Sequence, residues 1–432
     1  RDGRYMRLMD EMFTPRMKEL TDLLHDAQCD KPNPATMKKF GMILGPFFGQ
    51  IAPDHPLPEL MQLNGFEVAD ILFDSDKTKA LTTTLNFAGG NGGTRYKGMG
   101  AMGVMLASAI SGAVFPFHYV RGGSHNLTHG LLRCAVGHGV TCWQACPVDK
   151  ILVKDGEVVG VKTHPLAAIP DQEITAKAVV SNVSLKPTFL DMIGPEALGE
   201  DMTKLIKSFR YDENCVCSMN LELDGDPEFL SADYDDGVQR CPNGFFGVES
   251  ATELSAHIES NAKKVIYDKP IIDWFISSRV DPSQAPEGKH TAAMLFDVPP
   301  EPVELNGRKL SGSIDCWDDI KEEVGEIMIN RWEEYAPGFK KLIRHVHIES
   351  PLDQQRNNPS AIMGTMAGGA MIPEQSGPNR PLPGICPNGA SRTYMKGLYL
   401  SNSIHPNGQS GMTSGYICLL YTSDAADDAS SV

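Results

Sequence analysis

Apolar residues recur along this chain with two periods, and the changes between them mark out its elements. Met6, Met9, Phe13, Met17, Leu20 and Leu24 fall three or four apart, one face of a helix broken near Pro15. Six prolines interrupt residues 30–60 around an apolar patch that runs from Phe40 to Ile51. Residues 64–85 read as two short helices, the first entered at Phe66. After a turn at 121–124, Leu127, Leu131, Leu132 and Ala135 predict a helix over 126–138, closed by Gly137 and Gly139.

The period then shortens to two. A strand is expected over 140–145, followed by a hairpin over 148–162 whose turn is Asp155 and Gly156. Another strand, over 173–182, ends in Ser181 and Asn182. Further strands are expected over 216–223, 271–280, 291–298 and 342–349. Between the last two, Ile320, Val324, Ile327, Met328 and Trp332 trace an amphipathic helix that must end before Pro337.

Composition narrows the class. The chain has 432 residues, a net charge of −16, 41 % apolar and 22 % charged residues, ordinary for a globular protein with two or three domains' worth of core. Its acidic groups are scattered and it lacks clustered Lys and Arg, which excludes a nucleic-acid surface. Ten irregularly spaced cysteines make no disulfide framework. Reduced, mostly buried thiols are expected, with Cys215 and Cys217 on one strand face, and they point to the cytoplasm. No His and Cys set completes a metal site; His345 and His347 share a strand face without a third ligand and read as solvated. Arg1 leads straight into the helical pattern with no initiator Met and no secretory leader, as in a chain entered part-way.

Four stretches carry candidate chemistry. Leu398, Tyr399 and Leu400 form a short strand; Ser401 to Gln409 is turn chemistry; Gly411 opens a helix. A strand running through small residues into a helix N-terminus presents unpaired N–H groups to a cofactor, or it is a packing corner; spacing weighs the two equally. Gly98, Gly100 and Gly103 spell G-x-G-x-x-G but follow no apolar strand and precede no acidic partner, so the motif reads as a decoy. The uncharged run from Gly98 to Val120 has the ~20-residue length of a bilayer span. Its four glycines and Pro116 favour instead a buried helix lining an apolar cavity through Met102, Val104, Met105, Leu106, Phe115 and Phe117. A membrane-dipping segment, giving peripheral membrane contact, is the alternative. The Met- and Gly-rich residues 363–371 read as a loop over a flat ligand or as adaptable core filler.

Taken together, three stretches resemble the phytoene desaturase-like branch of the flavoprotein superfamily that includes amine oxidases and carotenoid isomerases. One is Arg121, Gly122 and Gly123 with the helix, strand and hairpin after them and the stretch from Val179 to Asn182. The second runs from Ser278 through Asp281 and Pro282 to His290. The third runs from Gly397 through His405 and Pro406 to Tyr416. The resemblance implies an α/β fold in which a Rossmann-like FAD-binding domain, incomplete in this chain, interleaves with a mixed-sheet substrate domain. It divides the chain into substrate-domain and cavity-lining helices over 1–118, part of the FAD-binding domain over 119–195, the substrate domain over 196–390 and a C-terminal FAD motif over 391–417. Residues 418–432 depart from the family's apolar helix and read as a non-native tail.

Carried over by position, FAD would meet Arg121, Gly122 and Gly123, the Val148 backbone at its adenine edge, and Ser181 and Asn182 near its pyrophosphate. Ser401, Asn402, His405, Pro406, Gly408, Gly411 and Met412 would pass beneath the ring. Met102, Met105, Phe115 and Phe117 would bind an apolar small-molecule substrate. The family's N-terminal glycine motif is missing, and Asn407 and Gln409 replace family glycines. The activity implied is FAD-dependent redox or isomerisation chemistry on a polyene- or lipid-like substrate. The rival reading is a non-catalytic lipid carrier on the same scaffold.

Overall fold

A computed structural model of the chain describes residues 42, 45–46, 48–49, 52–88, 95–98, 100, 119–212, 214–365, 368–375, 379–386 and 391–401. The helix expected over 6–24, most of the 98–120 run and the turn after Ser401 lie outside these residues.

In chain order the main elements are α1 (Gly65–Leu72), α2 (Asp76–Ala88), α3 (His125–Gly137), β1 (Val148–Lys154), β2 (Glu157–Thr163), β3 (Glu173–Thr175), β4 (Val179–Ser181), β5 (Cys215–Leu223), β6 (Asn243–Phe246), α4 (Ala251–Ala262), β7 (Ile272–Phe275), β8 (His290–Val298), α5 (Trp317–Tyr335), β9 (Ile343–Glu349) and β10 (Leu398–Leu400). Their ends follow local chemistry. Asn64 caps α1 in a reciprocal box, its side chain accepting from Glu67 N at 2.9 Å while Glu67 Oε2 accepts from Asn64 N at 2.9 Å. Ser250 caps α4 by accepting from Glu253 N.

The largest sheet has the order β9-β5-β8-β7-β6, antiparallel throughout. Odd-numbered residues of β5 and even-numbered residues of β6, β7 and β8 point to one face, where Met219, Leu221, Trp274, Met294 and Phe296 are buried under α5. The helix supplies Trp317, Ile320, Val324, Met328 and Trp332, all fully buried. Trp332 lies flat on Phe339, with ring centres 4.3 Å apart. A second core gathers Ile151, Val158, Leu185, Phe189, Leu398 and Leu400 beside the β1–β2–β3 hairpin sheet and the parallel pair β4–β10.

The hairpin stands as its sequence predicts, with Asp155 and Gly156 both at positive φ in the turn. Three strand expectations are corrected. Residues 140–145 form no strand; Ala145 turns at φ 50° and its carbonyl accepts from Ala168 N at 2.8 Å. The expected strand over 173–182 is two strands, because β3 pairs with β2 while β4, three residues later, pairs with β10. The strand expected over 271–280 stops at Phe275. The chain turns there into a 3-10 turn over Ser277–Arg279, and a second, Pro282–Gln284, follows with Asp281 as its cap and a proline that cannot extend a ladder. Cysteine burial is also less uniform than expected: of eight described thiols, Cys215, Cys217, Cys316 and Cys386 are buried and Cys134, Cys142 and Cys241 are exposed, all free.

Glycines in two singled-out stretches serve packing. Gly98 N donates to the carbonyls of Gln62 and Leu63, and a Cβ on Gly100 would lie 2.3 Å from the Asn64 carbonyl oxygen. A Cβ on Gly369 would lie 2.2 Å from the Phe209 ring, which supports the filler reading of the Met- and Gly-rich stretch.

Candidate cofactor and substrate site

Tyr119 to Gly123 form a tight turn. Gly123 N donates to Val120 O at 2.9 Å, and Asn126 Nδ2 donates to Arg121 O at 2.8 Å. Gly122 and Gly123 sit at φ +77° and +94°, and a Cβ on Gly122 would lie 2.4 Å from Asn126 Nδ2, so glycine is required there. Two bonds fasten this turn to the five-stranded sheet. Tyr119 Oη donates to Asn243 Oδ1 at the start of β6 (3.2 Å), and Gly122 N donates to Asp281 Oδ2 in the β7–β8 connection (2.5 Å). The first and second stretches of the resemblance thus meet at one hydrogen bond. Arg121 itself is exposed and makes no ion pair or side-chain hydrogen bond among the described residues.

The backbone edge on the other side is built from β2, β4 and β10. Glu157 and Lys396 bridge in parallel where β2 and the chain entering β10 begin, and β10 runs parallel to β4 with Leu398 opposite Val179 and Leu400 opposite Ser181. Ser401 N donates to Ser181 O at 2.9 Å. Val148 pairs with Thr163 at the far end of β2, so it emerges toward the same end as Ser181 and Ser401. The C-terminal edge of parallel strands is where open α/β sheets receive ligands. Ser181 Oγ is committed to Thr188 Oγ1 (2.8 Å) and Val183 N (3.2 Å), so it gives shape rather than a hydroxyl. Asn182 is exposed, with its amide uncommitted among the described residues. Small side chains and a free amide at this edge suit an extended dinucleotide. Asn402, His405, Pro406, Gly408, Gly411, Met412, Met102, Met105, Phe115 and Phe117 lie outside the described residues.

The face of the large sheet turned away from α5 carries groups that the sequence pattern does not single out. Phe245 opposes Asp273, Asn243 opposes Phe275, Asp273 opposes Leu295, and Phe275 opposes Ala293. Opposed residues share a face, so Asp273 sits in a half-buried wall of Phe245, Phe275, Leu295 and Ala293, with Asp297 diagonal to it on β8. Burial pushes the Asp273 carboxyl up to about 7. Burial first, then the charge of Asp273, pushes Asp297 up to about 8. His257 Nε2 (2.9 Å) and Asn261 Nδ2 (3.0 Å) of α4 both donate to the Asp297 carbonyl. Toward β5 and β9 the same face opens, and Asn220, Glu222, His345 and His347 are exposed, the two histidines as solvated as expected. The signal for Asp273 was an acid inside the apolar run Ile271 to Ile276.

No family model matches the chain. It is 27 % identical over 310 residues to a subunit of the limonene dehydrogenase of Castellaniella defragrans, covering 69 % of this chain and 53 % of that protein. It is 27 % identical over 355 residues to the rat "Pyridine nucleotide-disulfide oxidoreductase domain-containing protein 2", covering 79 % of this chain and 57 % of that protein. A match to "All-trans-zeta-carotene desaturase" of Myxococcus xanthus, 26 % identical over 185 residues, covers 43 % and 32 %. The chain is a distant relative of the phytoene desaturase-like, FAD-dependent oxidoreductases. It spans about half the length of the first two of these relatives. The mixed α and β fold of this distant relative matches a putrescine oxidase redesigned for cofactor binding, with TM-score 0.50, 11 % identity, and coverage of 97 % of this chain and 75 % of that one. Among its described residues no helix is long and apolar enough to cross a membrane, and no group of three or more His, Cys, Asp or Glu could hold a metal.

Proposed function

We propose that this chain belongs to an enzyme that uses FAD to oxidise, reduce or isomerise an apolar, polyene- or lipid-like substrate. The observation that carries this reading is the wall of Phe245, Phe275, Leu295 and Ala293, half-buried on β6, β7 and β8 at the end of the sheet where the Arg121 turn is fastened. Aromatic and aliphatic side chains on a rigid sheet suit a hydrocarbon, and the few polar groups among them fix its orientation. FAD, when bound, supplies the two-electron chemistry. Ser181, Asn182, Ser401 and the Val148 backbone would hold its nucleotide half, and the Arg121 turn would approach its ring. Met102, Met105, Phe115 and Phe117 would complete the apolar lining.

The name of the limonene-dehydrogenase relative supports a hydrocarbon substrate, and that of the carotene desaturase supports a polyene. The test is to purify the polypeptide together with a nucleotide-binding segment and record its visible spectrum. A yellow protein whose flavin band in the blue bleaches anaerobically with a terpene or carotenoid supports the reading. A colourless protein that still binds lipid overturns it in favour of a carrier.

A further inference from the structure

Asp281 does more than its local turn requires. As the cap of Pro282–Gln284 it needs one oxygen: Oδ1 accepts from Ser283 N (3.2 Å) and Ser283 Oγ (2.7 Å). The second oxygen is shared between that turn and a distant residue. Oδ2 accepts from Gln284 Nε2 (3.1 Å) and from Gly122 N (2.5 Å), a residue 159 positions earlier in the chain. The Ser283 hydroxyl, then the Gly122 N–H, hold this carboxyl down to about 2, so it is charged throughout the neutral range. Tyr119 Oη on Asn243 fixes the other end of the turn. Between the two fastenings stands Arg121, a cation with no partner among the described residues. An exposed, uncommitted guanidinium carried on a fixed stretch of backbone is a point for recognising an anionic group.

We propose that Asp281 is a positioning residue, which through Gly122 N–H holds the Arg121 guanidinium at the end of the five-stranded sheet, where it meets an anionic group of the bound cofactor. The inference rests on the flavin reading above, and it makes the sheet, rather than the β4–β10 edge, the frame on which Arg121 is carried. Any group bound against β6 to β8 then shares a rigid body with the arginine.

The test uses the full-length, cofactor-loaded protein and four forms: parent, Asp281→Asn, Ser283→Ala and Arg121→Ala. Hydrogen exchange at the Gly122 amide is expected to speed up at least tenfold in Asp281→Asn and to stay near the parent rate in Ser283→Ala. The reduction potential of the flavin is expected to shift downward in both Arg121→Ala and Asp281→Asn, because reduced flavin is anionic and loses a placed cation. A parent-like Gly122 rate in Asp281→Asn overturns the clasp even in a yellow protein. An unchanged potential in Arg121→Ala overturns the role of the arginine. An equal potential shift in Ser283→Ala assigns the effect to local folding of the turn and also overturns the proposal. A colourless full-length protein instead sinks the flavin reading, while the exchange rates still decide whether the clasp exists.

Discussion

Ser401 hands its amide hydrogen to the Ser181 carbonyl at 2.9 Å, and this bond continues the parallel ladder one residue beyond β10. It ties the residue that opens the C-terminal turn to the strand end more than two hundred positions earlier. The chain reaches this contact through Gly397, at φ +82°, whose missing Cβ would lie 2.5 Å from the Val158 carbonyl oxygen.

Gly397→Ala should therefore open the parallel pair. Both the positive φ and the close backbone oppose any side chain, so a loss of about 2–4 kcal/mol is expected, the upper range for single substitutions. Urea unfolding would measure it, and amide exchange at β4 and Ser401 should accelerate with it. A loss under about 0.5 kcal/mol would mean that β10 does not lie against Val158.

Asp273 and Asp297 should make stability fall as pH rises. Both carboxyls, pushed up to about 7 and about 8 from 3.8, bind protons more tightly folded than unfolded. Their contribution is full below about pH 4 and is lost as pH climbs through 7 to 8. Asp273→Asn should flatten that slope, gaining relative to the parent between pH 5 and pH 8.5 by an amount on the order of a few kcal/mol. Thermal melts across that range decide it; parallel curves for parent and variant would rule it out.

Trp332 separates packing from polar satisfaction. It is fully buried among Phe229, Phe246, Trp274 and Phe339, yet its Nε1 has no partner among the described residues. Trp332→Ala should cost about 3–5 kcal/mol. Trp332→Phe removes the orphaned donor along with some volume and should cost less than about 1.5 kcal/mol. Denaturant midpoints compare the two, and equal losses would contradict this.

Arg279 is not replaceable by lysine. Its side chain is 6 % exposed, donates through Nε and Nη2 to Asp226 Oδ1 and through Nη1 to Cys241 O, and lies over the Phe229 ring. Arg279→Lys keeps the charge but loses the planar fork, and should cost about 2–3 kcal/mol. A variant melting with the parent would contradict this.

Long, regular elements were legible because their cores impose a single period. The α5 stripe through Ile320, Val324 and Met328, the alternation of β5 and β8, and the Asp-Gly hairpin all follow from one-sided burial. The split between β3 and β4 was not legible, because alternation continues through Ala176 and Lys177 while the partner strand changes. The family resemblance, not the residue pattern, pointed to Ser181 and Ser401, and neither records that the Ser181 hydroxyl is spent on Thr188. The fastening of Gly122 to Asp281 lay hidden for a plainer reason: no local pattern records which distant N–H a turn carboxylate accepts.

The large sheet is buried on one face beneath α5, while the other is half-buried from β6 to β8 and exposed at β9. Both borders, β6 and β9, pair with one neighbour, but only β9 is wetted through His345 and His347. Local opening should start at that border and travel inward, since the free energy of opening scales with the buried contacts that must be broken. Breathing that starts there begins away from Asp273, and the interior strands β7 and β8 are the last to let water reach their backbone.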